Sequence, residues 1–168
     1  MNKIIIKKAQ EKDLKLLERY LPAENIPNFH KDKISEQKDG NSVWLIAWKD
    51  DIPVGHIQLR FNGIQDKKIN NLIKNCAHIE SLGVKEEFRK QGIGTKLIQE
   101  AEQLTKKKKM NRIGMAVGSE DNPEARKLYE TLGYKDAGLE EFIVSWNIVK
   151  KGITKKENER CVYLIKRL

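Results

Sequence analysis

The chain has 168 residues, of which 39% are hydrophobic and 34% charged, and its 33 Lys and Arg outweigh 24 Asp and Glu for a formal charge of +9. That length suits one domain over residues 1–168, able to bury a core without staples. Two cysteines, three scattered histidines and no long apolar run argue against a disulfide framework, a zinc module and a membrane span, and leave a reduced, cytoplasmic enzyme or binding domain as the expectation.

Ile4–Lys8 reads as a basic, β-branched strand with no leader-peptide core around it. Asp13–Tyr20 is a helical pattern that Pro22 ends, and Phe29–Gln37 is a second helix, closed at Asp39-Gly40. Ser42–Lys49 sets Val43, Leu45 and Ala47 on one face and Trp44, Ile46 and Trp48 on the other, so it should be a central strand covered twice. Asp50-Asp51 is a hairpin turn. In the following strand Ile57, Leu59 and Phe61 face a core, while His56, Gln58 and Arg60 form a polar side able to line a cleft. Residues 62–75 read as a polar connection. Cys76–Val84 is a strand, and Gly92–Lys107 is a helix with Ile93, Leu97, Ile98, Ala101 and Leu104 along one face. The run Lys106–Lys109 at its end reads as solvated surface that complements the helix dipole. Arg112–Val117 is a strand, and Pro123–Leu132 is a helix stopped by Gly133. Tyr134–Val149 and Glu159–Lys166 read as two long strands joined through Lys151-Gly152. Strands interleaved with helices predict an α/β domain with a mixed sheet covered on both faces.

The strand ending at Val84 and the helix opening at Ile93 are joined through Arg89-Lys90-Gln91-Gly92, and the helix begins Ile93-Gly94-Thr95. A helix N-terminus offers unpaired N–H groups and the positive pole of the dipole, and glycines let a phosphate approach the backbone. The order of residues is neither a dinucleotide fingerprint nor a Walker loop. Alone, the segment reads equally well as an ordinary capped turn.

Three segments together resemble the GNAT N-acetyltransferase superfamily, as a bacterial-type member. Ile79-Glu80-Ser81-Leu82-Gly83-Val84 is similar to that family's fourth strand. Arg89-Lys90-Gln91-Gly92-Ile93-Gly94 is similar to its Q/R-x-x-G-x-G/A turn. Asn122-Pro123-Glu124-Ala125-Arg126-Lys127-Leu128-Tyr129, continuing to Gly133-Tyr134, is similar to its N-x-x-A-x-x-L-Y-x-x-x-G-[FY] segment. The resemblance implies a mostly antiparallel sheet of about seven strands with about four flanking helices, splayed between strands four and five. It implies acetyl-CoA as donor, direct transfer to a primary amine of a small molecule or peptide, and no metal. Backbone near Leu82 and Val84 would pair with the pantetheine arm. N–H groups of Gln91, Gly92, Ile93, Gly94 and Thr95, flanked by Lys90, would hold the pyrophosphate. Arg89 would either touch phosphate or pair with Glu86 or Glu87. Asn122 is an N-cap that could also hydrogen-bond the arm. Tyr129 matches the family's acid toward the departing thiolate, although it also lies on the apolar face of its helix.

An alkyl ammonium of pKa ~10.4 has no lone pair to attack with, so acyl transfer to it calls for a base. Glu80 is the first candidate for that base, directly or through a water; the alternative for it is an ion pair with a cross-strand Arg or Lys. His78 shares its strand face and His56 lies on the neighbouring strand, both as weaker candidates. Cys76 and Cys161 have no adjacent histidine, which disfavours an acyl-cysteine route. A CoA-binding module without turnover is the alternative function. No specific nucleic-acid motif and no membrane segment is present, and a homodimer is compatible with the reading. The basic balance counts mildly against a polycationic acceptor unless a local acidic cleft, from Glu80, Glu140 and Glu141, overrides it. The acceptor's identity is not legible in the sequence.

Overall fold

In the computed structural model, which describes residues 3–120 and 122–168, the chain runs β1 (Ile4–Lys8), α1 (Leu14–Tyr20), α2 (Phe29–Glu36), β2 (Ser42–Lys49), β3 (Ile52–Arg60), α3 (Lys67–Ile73), β4 (Ala77–Val84), α4 (Ile93–Lys107), β5 (Arg112–Gly118), α5 (Pro123–Thr131), β6 (Lys135–Asp136), β7 (Phe142–Lys150) and β8 (Ile153–Arg167). One sheet joins all eight strands in the order β1-β2-β3-β4-β5-β8, with β6 and β7 both on the outer edge of β8. Every pair is antiparallel except β4 with β5. Among the described residues no helix is long and apolar enough to cross a membrane.

β2 is covered on both sides, as its two apolar faces require. Leu45 and Ala47 pack with Ile93, Leu97, Ile98 and Ala101 of α4 in the main core. Trp44 and Ile46, on the opposite face, pack with Leu17, Leu21 and Ile34 from the segments of α1 and α2. Each Leu or Ile among them, fully buried, contributes about 1.5–3 kcal/mol. Both turn residues of the β2–β3 hairpin, Asp50 and Asp51, have left-handed φ (48° and 64°), the geometry that matches strand twist in a two-residue turn.

Two expectations need correction. Residues 62–75 are not merely a polar connection, because α3 lies within them. The Asp66 side chain caps this helix by accepting from the Ile69 N–H at 3.0 Å. Ile69 and Ile73, four residues apart, bury one face against Ile64, Cys76 and Tyr163. Nor is Tyr134–Val149 one strand. Gly138, at φ 72°, and the Asp136 carboxylate that accepts from its N–H at 2.8 Å break the run into β6 and β7. Among the described residues the sheet thus has eight strands and five α-helices around it, slightly more than expected.

The splay between the fourth and fifth strands is present. β4 and β5 pair only at Ala77–Ile113, His78–Gly114 and Ile79–Met115. Two residues further on, Ser81 takes φ 53°, and the β3–β4 register shifts between His56 and Gln58. β5 meanwhile stays with β8 as far as Gly118. Beyond Ile79 the β5-facing edge of β4 is therefore open.

Candidate active site

The donor side begins on that open edge. Lys85 N–H bonds to Val54 O of β3 at 2.9 Å. Strand alternation then turns Gly83 toward β3, and the amides of Leu82 and Val84 toward the opening. Arg89 does not pair with Glu86 or Glu87, contrary to one of the two roles expected for it. Its Nε donates to Val84 O at 3.0 Å, and Glu87 pairs with Lys85 at 2.8 Å instead. Arg89 thus ties the end of β4 to the turn. Lys90 and Gly92 both adopt left-handed φ, 58° and 77°, which rolls the chain into α4. Among the described residues, the N–H groups of Gln91, Gly92, Ile93, Gly94 and Thr95 have no protein acceptor, and Lys96 is the first to bond, to Gly92 O at 3.0 Å. Five free donors at the head of a 15-residue helix fit a pyrophosphate. The Ile93 side chain is buried in the core, so this residue has only its backbone to offer.

Asn122 caps α5, its Oδ1 accepting from Ala125 N–H at 3.0 Å. Among the described residues its amide nitrogen has no acceptor, which leaves it available to a ligand. Tyr129 packs against the main core and meets Tyr134 edge-on with ring centroids 6.4 Å apart. Burial pushes its phenol up, and the hydroxyl has no hydrogen-bond partner among the described residues. A phenol that stays protonated and unengaged can donate to a leaving thiolate.

A cavity of about 770 Å³ opens beside Glu80, lined from α2, Arg60 at the end of β3, His78 to Ser81 of β4, Ala116 of β5, the segment before α3 and the β7–β8 hairpin. Five carboxylates, Asp32, Glu36, Asp66, Glu80 and Glu159, line it against two cations, Lys33 and Arg60. Glu140 and Glu141 do not. Of the expected polar side of β3 only Arg60 lines the cavity; Gln58 is fully buried beneath α2 and His56 lies within an aromatic cluster. Arg60 Nε donates to Glu80 Oε1 at 2.8 Å, and Lys33 Nζ reaches the same oxygen at 3.3 Å. Arg60 Nη2 and Gln58 Nε2 both donate to Glu36 Oε2, at 2.6 and 2.7 Å, and Lys33 also donates to Gln58 Oε1. Glu80 Oε2 faces His78 Nε2 at 3.6 Å, and His78 Nδ1 lies 3.2 Å from the Tyr163 hydroxyl.

Burial works to raise the Glu80 pKa, but His78, Lys33 and Arg60 outweigh it and hold the carboxyl well below the usual carboxylate range. A carboxylate so stabilised has little affinity for a proton, which weakens the case for it as a general base. The ion pair weighed against that role is present, and it comes from Arg60 and Lys33. His56 and His78 fare no better. Burial pushes His56 down to about 4, and its Nδ1 is engaged by Ser81 O at 2.7 Å. Both nitrogens of His78 face protein partners. Cys76 and Cys161 are free and buried, and burial pushes both thiols up to about 11, which leaves little thiolate for an acyl-cysteine route.

The structure brings Arg89 through Thr95 together with Leu82 and Val84 around the open edge. It does not bring Tyr129 into the cavity wall beside Glu80. Lys33, Glu36, Asp32 and Glu159 were not anticipated from sequence. Their one readable signal was the Asp32, Lys33, Glu36 set on a short helix, whose charges all suit a solvated face equally well.

The model of the acetyltransferase (GNAT) family matches residues 10–134. The chain belongs to this family, and it is an acyltransferase with acetyl-CoA as donor and an amine as acceptor. Its fold is similar to that of the PaiA N-acetyltransferase from Thermoplasma acidophilum in complex with coenzyme A, with 18% identity, a TM-score of 0.66 and 99% of each chain covered. It is likewise similar to the ribosomal-protein-alanine N-acetyltransferase from Brucella melitensis, with 16% identity, a TM-score of 0.68 and coverage of 98% and 99%. The IAA acetyltransferase from Bacillus cereus gives 16% identity, a TM-score of 0.62 and coverage of 99% and 100%. No curated protein matches the sequence significantly.

Proposed function

We propose that the chain transfers acetyl directly from acetyl-CoA to the primary amine of a cationic small molecule or peptide, with the pyrophosphate on the Gln91–Thr95 amides and the acceptor in the acid-lined cavity. The observation that carries this reading is that β4 borders both half-sites: five unpaired N–H groups follow its end, and a cavity with five carboxylates against two cations opens beside Glu80. Leu82 and Val84 hold the pantetheine arm by backbone, Asn122 adds its free amide, and Arg89 and Lys90 supply positive charge next to the phosphates. The amine nitrogen attacks the thioester carbon, the C–N bond forms, and the C–S bond breaks with a hydrogen bond from the Tyr129 hydroxyl to the departing sulfur. Glu80 acts by charge rather than by taking the proton, holding a second, non-reacting cationic group of the acceptor in the cavity, while the reacting nitrogen loses one proton to solvent before it attacks and another after the C–N bond has formed. The global charge of +9 therefore does not set the acceptor, because the cavity has the opposite sign. A cytoplasmic setting suits two free thiols.

A thiol-release assay with acetyl-CoA against a panel of neutral, monocationic and dicationic amines tests the reading. Release above the hydrolysis background, strongest for dicationic amines, is expected. Binding of CoA with no amine-dependent release from any member would overturn it in favour of a binding module.

A further inference from the structure

The β4 backbone is least ordinary at Ser81. This residue is not glycine, yet it sits at φ 53°, two positions after the last β4–β5 pair and at the register shift against β3. A side chain in the left-handed region is strained and persists only where surrounding contacts hold it. One neighbour makes those contacts from both sides. His56 of β3 has its Nδ1 2.7 Å from Ser81 O. Its ring also covers Gly83, where an added Cβ would stand 2.7 Å from the His56 ring. The ring is held in turn by a cluster of aromatic side chains, Trp44 at 4.7 Å, Phe29 at 5.7 Å and His30 at 5.9 Å between centroids.

We propose that His56 is a positioning residue for acetyl transfer: by donating from Nδ1 to Ser81 O and packing on Gly83 it locks the β4 bulge, and so aims the open strand edge at the thioester carbonyl. Ser81 O can only accept, so the imidazole must carry its proton on Nδ1. Burial also keeps the ring neutral, with a pKa of about 4, so this tautomer persists through the neutral range. The groups that face the ring are Ser81, Gly83, Trp44, Phe29, His30 and the more distant Lys33. His30 has its own anchor, the Leu21 carbonyl at 2.6 Å. Glu80, which carries the ion pairs, lies immediately before Ser81, so the same lock also fixes where that carboxylate enters the cavity.

The inference rests on the reading that the open edge of β4 receives the thioester, and the test separates the two. His56→Leu removes the donor and keeps bulk. His56→Asn places an amide N–H near the Nδ1 position. Ser81→Gly removes the strain that the bond offsets. In His56→Leu, kcat should fall roughly tenfold or more, while the Kd of CoA, to which the five free amides of the pyrophosphate turn still contribute, should change clearly less than kcat. His56→Asn should recover most of that loss, and Ser81→Gly combined with His56→Leu should lose clearly less than His56→Leu alone. Full kcat in a folded His56→Leu, or an equal loss in the Ser81→Gly background, overturns the role of His56. If His56→Leu does not fold, an Asn variant as inactive as a His56→Gln variant does the same. Failure of the wild-type chain to acetylate any amine would instead overturn the underlying reading.

Discussion

The Glu80→Gln variant separates a proton acceptor from a charge anchor. In the native chain Glu80 Oε1 meets Arg60 at 2.8 Å and Lys33 at 3.3 Å, with the Glu80 side chain 27% exposed. Taking one partner from a buried ion pair typically costs about 3–5 kcal/mol. Here Arg60 keeps Glu36 at 2.6 Å, so chiefly Lys33 is stranded, and partial exposure softens the loss. We therefore expect about 2–3 kcal/mol. At this chain length that is a fall in Tm of roughly 5–10 °C at pH 7. The pH dependence has a definite sign. The folded carboxyl is held below its ordinary 4.5, so its contribution is complete above that pH and is lost as pH falls below it. The gap in Tm between wild type and variant should be constant from pH 6 to 9 and close in acid. In kinetics, the KM for a dicationic acceptor should rise about tenfold with kcat nearly unchanged, and the ascending limb of the pH profile should keep its position, because it reports the acceptor amine. Differential scanning fluorimetry across pH and steady-state kinetics measure both. A variant with wild-type Tm, or one whose kcat collapses at pH 7 and recovers in alkali, would refute the charge-anchor argument and restore Glu80 as the base.

Tyr129→Phe keeps the ring and its contact with Tyr134, so Tm should hold while kcat drops by roughly 10²-fold, as measured by thiol release. Gly94→Asp has room, since an added Cβ would meet only Leu128 and Val84, both at 3.9 Å, so the chain should fold. The new carboxylate beside the free amides should weaken CoA at least tenfold by calorimetry, about 1.4 kcal/mol. Gly114→Ala would drive a Cβ into the Tyr163 ring at 2.4 Å and Leu164 O at 2.7 Å, where β4, β5 and β8 meet. That overpacking should cost about 1–3 kcal/mol in a denaturant melt.

The elements with a full period were legible. Ser42–Lys49 announced two covered faces because its apolar side chains alternate without a gap, and the Arg89–Thr95 turn announced itself by glycine spacing at a strand–helix junction. α3 was not legible because only Ile69 and Ile73 mark its buried face, within a Lys- and Asn-rich stretch too short to show a helical period. The β6–β7 break was hidden because Gly138 sits in a run that otherwise keeps pairing with β8, Ala137 N–H still reaching Tyr163 O. At the site, backbone roles could be inferred from local pattern, since free N–H groups follow from where a helix starts. The state of Glu80 could not. His78, two residues away, is local, but the other charges that set it come from Lys33, 47 residues away, and Arg60, 20 residues away, and no local pattern joins them.

The hairpin of β7 and β8 divides evolutionary labour. From Trp146 through Glu157 it pairs only with itself, and one bond from Val149 N–H to Asn25 O moors it to the opposite rim. Its inner stretch, Ile143 to Asn147, together with Glu159 walls the acid-lined cavity, while the candidate cofactor turn lies on a separate element and the main core takes Val162 and Leu164 from the far end of β8 but nothing from the ribbon beyond it. On the proposed reading, replacing the self-paired stretch from Trp146 to Glu157 would change acceptor preference and leave the candidate cofactor turn untouched. A scaffold built this way could be retargeted, by natural drift or by grafting, through the self-paired part of one ribbon.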